Sequence, residues 1–112
     1  MNLLASGSRG TLRAGPMSSD KIRVQRGGTF EVALREPAAT GHRWQLVEGP
    51  AQVAVVDERY EAPRPGGPLG STGRRIITLQ ARDRGDYRLR FELARPWEAQ
   101  PAKEHSVKVE AV

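Results

Sequence analysis

The side chains that could do chemistry are few in this chain, and they are not grouped. Its two histidines, His42 and His105, lie about sixty residues apart and match no short metal-ligand spacing such as His-x-x-x-His. The chain has no cysteine, which excludes a thiol nucleophile, a disulfide and a thiolate metal site. It has no Gly-x-Ser-x-Gly sequence, and residues 70–73 lack the Gly-Lys-Ser/Thr of a phosphate loop. The sequence therefore predicts a protein that is not an enzyme and uses no cofactor or metal.

The basic composition raises nucleic-acid binding as a hypothesis. The formal net charge is +5 and the isoelectric point is near 10.4. However, the basic residues recur along the whole chain with acids beside them, as in Arg82-Asp83-Arg84, and no aromatic residue alternates with them as a stacking platform. This pattern favours solvated strand faces rich in arginine over a nucleic-acid surface.

Two short segments are better suited to binding another protein. Trp97 lies between Pro96 and Glu98, outside any alternating segment, and the fixed φ of proline leaves it little freedom to lose on docking. The structural alternative is that Trp97 covers one end of the core. The pair Thr40-Gly41 is either a simple turn or a loop tip whose glycine lets a partner backbone come close.

The elements that must position these segments are strands. Apolar residues alternate with polar ones in Tyr87–Leu93, Phe30–Leu34 and Val107–Val109, which is the period of a half-buried strand. Twelve glycines and eight prolines suit many turns and few helices. We therefore predict an all-β, immunoglobulin-like Greek-key sandwich without a disulfide, with Trp44 in its core. The seven predicted strands are 21–26, 29–34, 43–48, 52–60, 74–81, 86–94 and 104–111.

The connections between these strands differ in length. Residues 83–86 (Asp-Arg-Gly-Asp) predict a tight hairpin between two strong strands, with Gly85 at positive φ. Residues 35–42, 61–73 and 94–103 are longer and rich in glycine or proline. Because they follow the second, fourth and sixth strands, we expect them to emerge at one end of the sandwich and to form one surface.

Three motifs in these long connections resemble those of the chagasin-like inhibitors of papain-type cysteine proteases, over about residues 20–112. The family's first loop ends in Thr-Gly, an aromatic residue and a Trp two places later, and 39–44 (Ala-Thr-Gly-His-Arg-Trp) matches that end. Its second loop reads Leu-Gly-x-Gly-Gly, which corresponds to 69–73 (Leu-Gly-Ser-Thr-Gly). Its third reads Arg-Pro-Trp, which is intact at 95–97. The chain departs from the family where Pro37-Ala38 replaces Asn-Pro and where Ala39, His42 and Thr72 replace Thr, an aromatic residue and Gly.

The resemblance implies reversible, competitive inhibition by three loops that fill the protease cleft without being cleaved. The first loop would sit over the catalytic Cys and His, the second on the non-primed side, and the third, with Trp97, on the primed side. The protease-binding residues implied in this way are Ala39, Thr40, Gly41, His42, Leu69, Gly70, Ser71, Thr72, Gly73, Arg95, Pro96 and Trp97. The expected partner is a papain-like cysteine protease, with no nucleic acid and no membrane, and the inhibitor itself is expected to be a monomer.

An alternative remains open from the sequence: an immunoglobulin-like adhesion or carbohydrate-binding module without inhibitory activity. We expect residues 1–19 to be a disordered or vector-derived leader and 20–112 to be the folded domain. No signal peptide is visible. The sequence leaves the compartment open: cytoplasmic for the sequence as given, and secreted or periplasmic if the sequence is truncated.

Overall fold

The structure is a computed structural model that describes residues 17–66 and 72–112, and its ordered elements are seven strands and one short 3-10 turn. The predicted strands are confirmed with ends shifted by at most four residues. The strands are β1 (Met17–Val24), β2 (Thr29–Glu36), β3 (Arg43–Glu48), β4 (Val53–Glu61), β5 (Gly73–Ala81), β6 (Gly85–Ala94) and β7 (Lys103–Ala111), and the 3-10 turn is Ala38–Thr40.

The first strand begins earlier than the sequence predicted. Met17, Ser18 and Ser19 pair with 104–106 of β7, so these three residues belong to β1 and not to the expected leader. Ser18 and Ser19 are polar and follow Met17 directly, so these residues show no apolar alternation and the sequence pattern missed them. Residues 1–16 lie outside the described residues.

The seven strands form two sheets, as predicted for an immunoglobulin-like sandwich. One sheet has the order β1-β7-β6-β3 and the other the order β2-β5-β4. All pairs are antiparallel except β1 with β7, which is parallel. The chain crosses between the sheets four times, and only the β4–β5 and β6–β7 connections are hairpins.

The predicted hairpin at 83–86 is therefore wrong, because β5 and β6 lie in different sheets. Alternation shows that each strand has one buried face, but it does not say which sheet the strand joins. The crossing is fixed by Tyr87, whose hydroxyl is shared between the carbonyl oxygens of Asp83 (3.0 Å) and Arg84 (2.8 Å). Gly85 has a φ of 146°, which confirms the expected positive value.

The core lies between the sheets and is built from the alternating residues of both. Leu79, Leu89, Phe91 and Val107 have no solvent exposure. Trp44 is 4% exposed, which confirms it as a core aromatic residue. Val53 of β4 is buried, whereas Val55 is 44% exposed and lies where β4 shifts register, between Val55 and Asp57. This rigid core sets the spacing of the connections at both ends of the sandwich.

Candidate functional site

The three long connections emerge at one end of the sandwich, as predicted from their parity. Glu36 at the end of β2 pairs with Gly73 at the start of β5, which places the β2–β3 and β4–β5 connections side by side. Arg43 at the start of β3 pairs with Ala94 at the end of β6, which adds the β6–β7 connection. We call these connections loop 1 (37–42), loop 2 (62–72) and loop 3 (95–102), and their side of the molecule the loop end.

A buried carboxylate braces the base of loop 1. Glu36 is 1% exposed, and its Oε1 accepts hydrogen bonds from the Trp44 amide (2.8 Å) and from Arg75 Nε (3.0 Å). Its Oε2 accepts a third bond from Arg75 Nη2 at 2.7 Å. These hydrogen bonds raise the pKa of Arg75 above its ordinary value. Because Glu36 and Arg75 belong to one sheet and Trp44 to the other, the pair ties both sheets together under the loop.

Trp44 also fixes the near side of loop 1. Its indole Nε1 donates a 2.7 Å hydrogen bond to the carbonyl oxygen of Arg35. The backbone before the loop is thus bonded to the Trp44 indole, and the backbone after it, at the Trp44 amide, to the Glu36 carboxylate. The loop is therefore held at each end by contacts that depend on side-chain identity.

Within loop 1, Thr40 organises the turn. Its amide donates to the Pro37 carbonyl oxygen at 3.1 Å, and its hydroxyl donates to the same oxygen at 2.7 Å. Since that hydroxyl has given its only proton, its oxygen is left to accept a hydrogen bond from His42 Nδ1–H at 2.5 Å. The predicted residues Thr40 and His42 are therefore joined, and both bonds serve to shape the loop.

Gly41 brings loop 1 against loop 3. Its φ is 83°, a conformation that side chains rarely adopt. A Cβ placed at Gly41 would lie 3.2 Å from Cη2 of Trp97 and 3.7 Å from Cγ and Cδ of Arg95. Glycine is thus needed here for its backbone conformation and for close approach. The structure brings Thr40, Gly41, Arg95 and Trp97 together.

Loop 3 is a turn closed by one residue that the prediction did not include. Glu98 donates its amide to the Arg95 carbonyl oxygen at 3.0 Å, and its carboxylate accepts two hydrogen bonds from the Arg95 guanidinium at 3.1 and 3.0 Å. The guanidinium carbon of Arg95 lies 5.8 Å from the centre of the Trp97 ring. Trp97 is nonetheless 71% exposed, so the alternative that it covers the core is wrong.

Loop 2 is only partly described. Leu69, Gly70 and Ser71 lie outside the described residues, and Thr72 is exposed. Gly73 is buried, and a Cβ on it would overlap the Glu61 carbonyl oxygen and the Tyr60 hydroxyl. Gly73 is therefore needed for packing at the base of the loop, next to Glu36.

His105, the second histidine, belongs to the core beneath the loop end. It is 5% exposed, its Nε2 lies 3.0 Å from Asp20 Oδ2, and its ring packs edge-on against Trp44. Burial lowers the pKa of His105, and the nearby Asp20 carboxylate only partly offsets this. Among residues 17–66 and 72–112, no group of three or more His, Asp or Glu is arranged to hold a metal. In the same residues, no helix has the length and hydropathy to cross a membrane.

The sequence reasoning missed Glu36, Arg75 and Glu98. Glu36 continues the inward series of Val32 and Leu34, so its position predicts a buried carboxylate that needs a cationic partner. Nothing in the local pattern identifies Arg75 as that partner, because the two are 39 residues apart.

Comparison with known families decides what this arrangement belongs to. The model of the "Chagasin family peptidase inhibitor I42" matches residues 23–110, which is most of the chain. The chain belongs to the chagasin family of peptidase inhibitors. The predicted resemblance is confirmed, and so is the prediction that the chain is an inhibitor and not an enzyme. The alternative of an adhesion or carbohydrate-binding module is not supported.

Solved structures share the fold of this chagasin-family chain. The cysteine protease inhibitor EhICP2 from Entamoeba histolytica is 21% identical with a TM-score of 0.67, covering 88% of this chain and 100% of its own. Amebosin is 20% identical with a TM-score of 0.65, covering 89% and 100%. PbICP-C, solved in complex with falcipain-2, is 14% identical with a TM-score of 0.64, covering 88% and 91%. A comparison with curated proteins found no match.

Proposed function

We propose that this chain is a reversible, competitive inhibitor of papain-type cysteine proteases, and that its loop end is the surface that fills the protease cleft. Its family is one of peptidase inhibitors, and the similar structures include a cysteine protease inhibitor and a complex with falcipain-2. The observation that carries the proposal is the contact between loops 1 and 3. It joins Gly41 to an exposed Trp97 at one edge of a rigid sandwich.

The geometry suits a wedge that docks with little ordering. Loop 1 is held by Glu36 and Trp44, and loop 3 by the two hydrogen bonds between the Arg95 guanidinium and the Glu98 carboxylate. A surface held in this way loses less conformational entropy on binding than a mobile loop would. Gly41 leaves the backbone at the tip free of a side chain, so a protease backbone or catalytic group can come close. We expect a total buried area of about 1,600 Å².

We propose the following roles for the binding residues. Thr40 and Gly41 would face the catalytic centre, and Trp97 would pack on an apolar surface beside it. The segment from Leu69 to Gly73, at the end of loop 2 and the start of β5, would run along the other side of the cleft and contribute backbone hydrogen bonds. Ala39, His42, Arg95 and Pro96 complete the proposed contact set. None of these roles requires a metal or a cofactor.

Titration of papain and of a cathepsin L-type protease with a fluorogenic substrate tests the proposal. We expect saturable, competitive inhibition by the parent chain and a loss of about 30-fold or more in the double variant Thr40→Ala, Trp97→Ala. The matched control is Val47→Ala, which truncates an apolar side chain that is 42% exposed on β3 and should leave inhibition unchanged. Equal inhibition by parent and double variant would reject the loop end as the contact surface.

A further inference from the structure

The ion pairs of the described residues are distributed unevenly between the two ends of the sandwich. Every acid at the loop end is engaged with an arginine: Glu36 with Arg75, Glu58 with Arg43 and Arg75, Glu61 with Arg59 and Arg74, Glu98 with Arg95, and Glu104 with Arg90. Asp83 and Asp86, at the opposite end, lie in no ion pair, and Asp20 is partnered only by His105, whose lowered pKa favours the neutral ring. Each acid of the loop end therefore has at least one arginine partner.

Three cations at the loop end have no acidic partner among the described residues. Arg35 is the last residue but one of β2, Arg64 lies in loop 2, and Lys103 is the first residue of β7, and all three are exposed. Arg35 pairs with Arg74 across β2 and β5, and Arg74 Nη2 donates a 2.7 Å hydrogen bond to Glu61 Oε1. We call Arg35, Arg64 and Lys103 the cationic rim.

The cationic rim lies on both sides of the proposed contact surface. Arg35 belongs to the sheet β2-β5-β4, and Lys103 to the sheet β1-β7-β6-β3. Packed sheets are separated by about 10 Å, so a wedge entering a cleft would bring a cation toward each of its two lips. Because these side chains are not held in internal ion pairs, an approaching acid can engage them without breaking one.

We infer that the partner is a papain-type protease with acidic lips along its cleft, and that the cationic rim speeds the encounter. This rests on the function proposed above. Exposed rim charges of opposite sign mainly raise the association rate, whereas buried contacts such as that of Trp97 set the dissociation rate. The cationic rim thus selects among proteases by the charge around the cleft, in addition to the contacts made within it.

The chain offers a control with the same charge and a different position. Lys21, Lys108 and Arg88 face one another directly across β1, β7 and β6, and these exposed cations also have no acidic partner. They lie toward the opposite end from the loops. Two triple variants therefore remove equal charge. The rim variant, near the proposed contact surface, is Arg35→Gln, Arg64→Gln, Lys103→Gln. The control variant, away from that surface, is Lys21→Gln, Arg88→Gln, Lys108→Gln.

The test is stopped-flow association of the parent and both triple variants with a cathepsin L-type protease whose cleft rim is acidic. Salt is varied from about 0.01 M to about 1 M, over which the Debye length falls from ~30 Å to ~3 Å. We expect the rim variant to associate about tenfold more slowly at low salt, with little remaining salt dependence, and the control variant to behave like the parent. Dissociation rates should agree within about twofold.

Two contrary results are distinguishable. If the parent inhibits but both triple variants associate at the parent's rate, or both slow equally, the acidic-lip inference is wrong and the proposed function stands. If the parent inhibits neither this protease nor papain, the proposed function fails and this inference fails with it. Equal unfolding midpoints of the three proteins confirm that the rates compare folded molecules.

Discussion

The two ends of the sandwich are held together in different ways. At the end opposite the loops, backbone atoms bond to backbone atoms across the turns: Arg26 and Val112, Gly27 and Ala81, and Arg82 and Gln52 lie within 2.6–2.8 Å. At the loop end, the decisive contacts come from the side chains of Glu36, Thr40, Trp44, Arg75 and Arg95. Tyr87 and Gln80 add side-chain hydrogen bonds to backbone oxygens at the opposite end. Most of the turn contacts there are nonetheless independent of side-chain identity, whereas the loop end depends on a few side chains.

The largest effect should come from breaking the buried brace. In Glu36→Ala, the Trp44 amide and the Arg75 guanidinium lose their acceptor in a buried site, and removal of one partner of a buried pair costs about 3–5 kcal/mol. We expect urea unfolding to show a loss of that size, together with weaker protease inhibition. Glu31→Ala is the control, because that carboxylate is 55% exposed and should change stability by less than ~0.5 kcal/mol. Equal losses of unfolding free energy in the two variants would contradict the stabilising role of Glu36.

A sharper comparison uses two glycines with the same backbone conformation. Gly41 at the loop end and Gly27 at the opposite end have φ values of 83° and 82°. A Cβ on Gly27 would meet nothing within 4 Å, whereas one on Gly41 would meet Trp97. We expect Gly27→Ala and Gly41→Ala each to cost about 1 kcal/mol in unfolding free energy, because both place alanine at positive φ.

Protease inhibition should separate the two glycine variants. We expect Gly41→Ala to weaken inhibition about tenfold, because the added methyl group displaces Trp97 and fills the loop tip. Gly27→Ala should inhibit as the parent does. If the two variants have the same inhibition constant, the contact between loops 1 and 3 does not contribute to inhibition.

The smallest effect should come from acidification. Burial lowers the pKa of His105 below its ordinary value near 6.5, so the unfolded chain binds this proton more readily than the folded chain does. Stability is then complete above about pH 6.5 and falls as the pH drops below that value. We expect urea unfolding across this range to show the decline, and His105→Asn to flatten it. A decline that persists unchanged in His105→Asn would assign it to other groups.

Sequence alone could predict most of the scaffold. Every strand was located from the sequence, and the period-two alternation marked those that bury one face in the core, such as β2, β6 and β7. The alternation could not assign β5 and β6 to different sheets, since a turn that crosses between sheets and a hairpin turn contain the same types of residue. Tyr87 was the available signal: a tyrosine at the start of a strand that follows a turn can bond back to that turn.

The sequence predicted which loops form the candidate site, but not the side chains that hold those loops in place. The motifs at 39–42 and 95–97 lie together, as the strand parity required. Glu98 lies next to one motif, but its two hydrogen bonds with the Arg95 guanidinium depend on a turn geometry that the sequence does not specify. The pairing of Glu36 with Arg75 depends on the register between β2 and β5, which becomes known only once the sheet is assembled.

Hydrogen–deuterium exchange of the chain, free and bound to the protease that it inhibits most tightly, tests the central claim most directly. We predict that binding protects amides in 37–42, 62–72 and 95–102 and leaves the turns at 25–28 and 82–84 unchanged. Those turns already form backbone hydrogen bonds in the free chain, so their slow exchange provides an internal reference. Protection centred on the opposite end, with loops 1 and 3 unchanged in a saturated complex, would contradict the account.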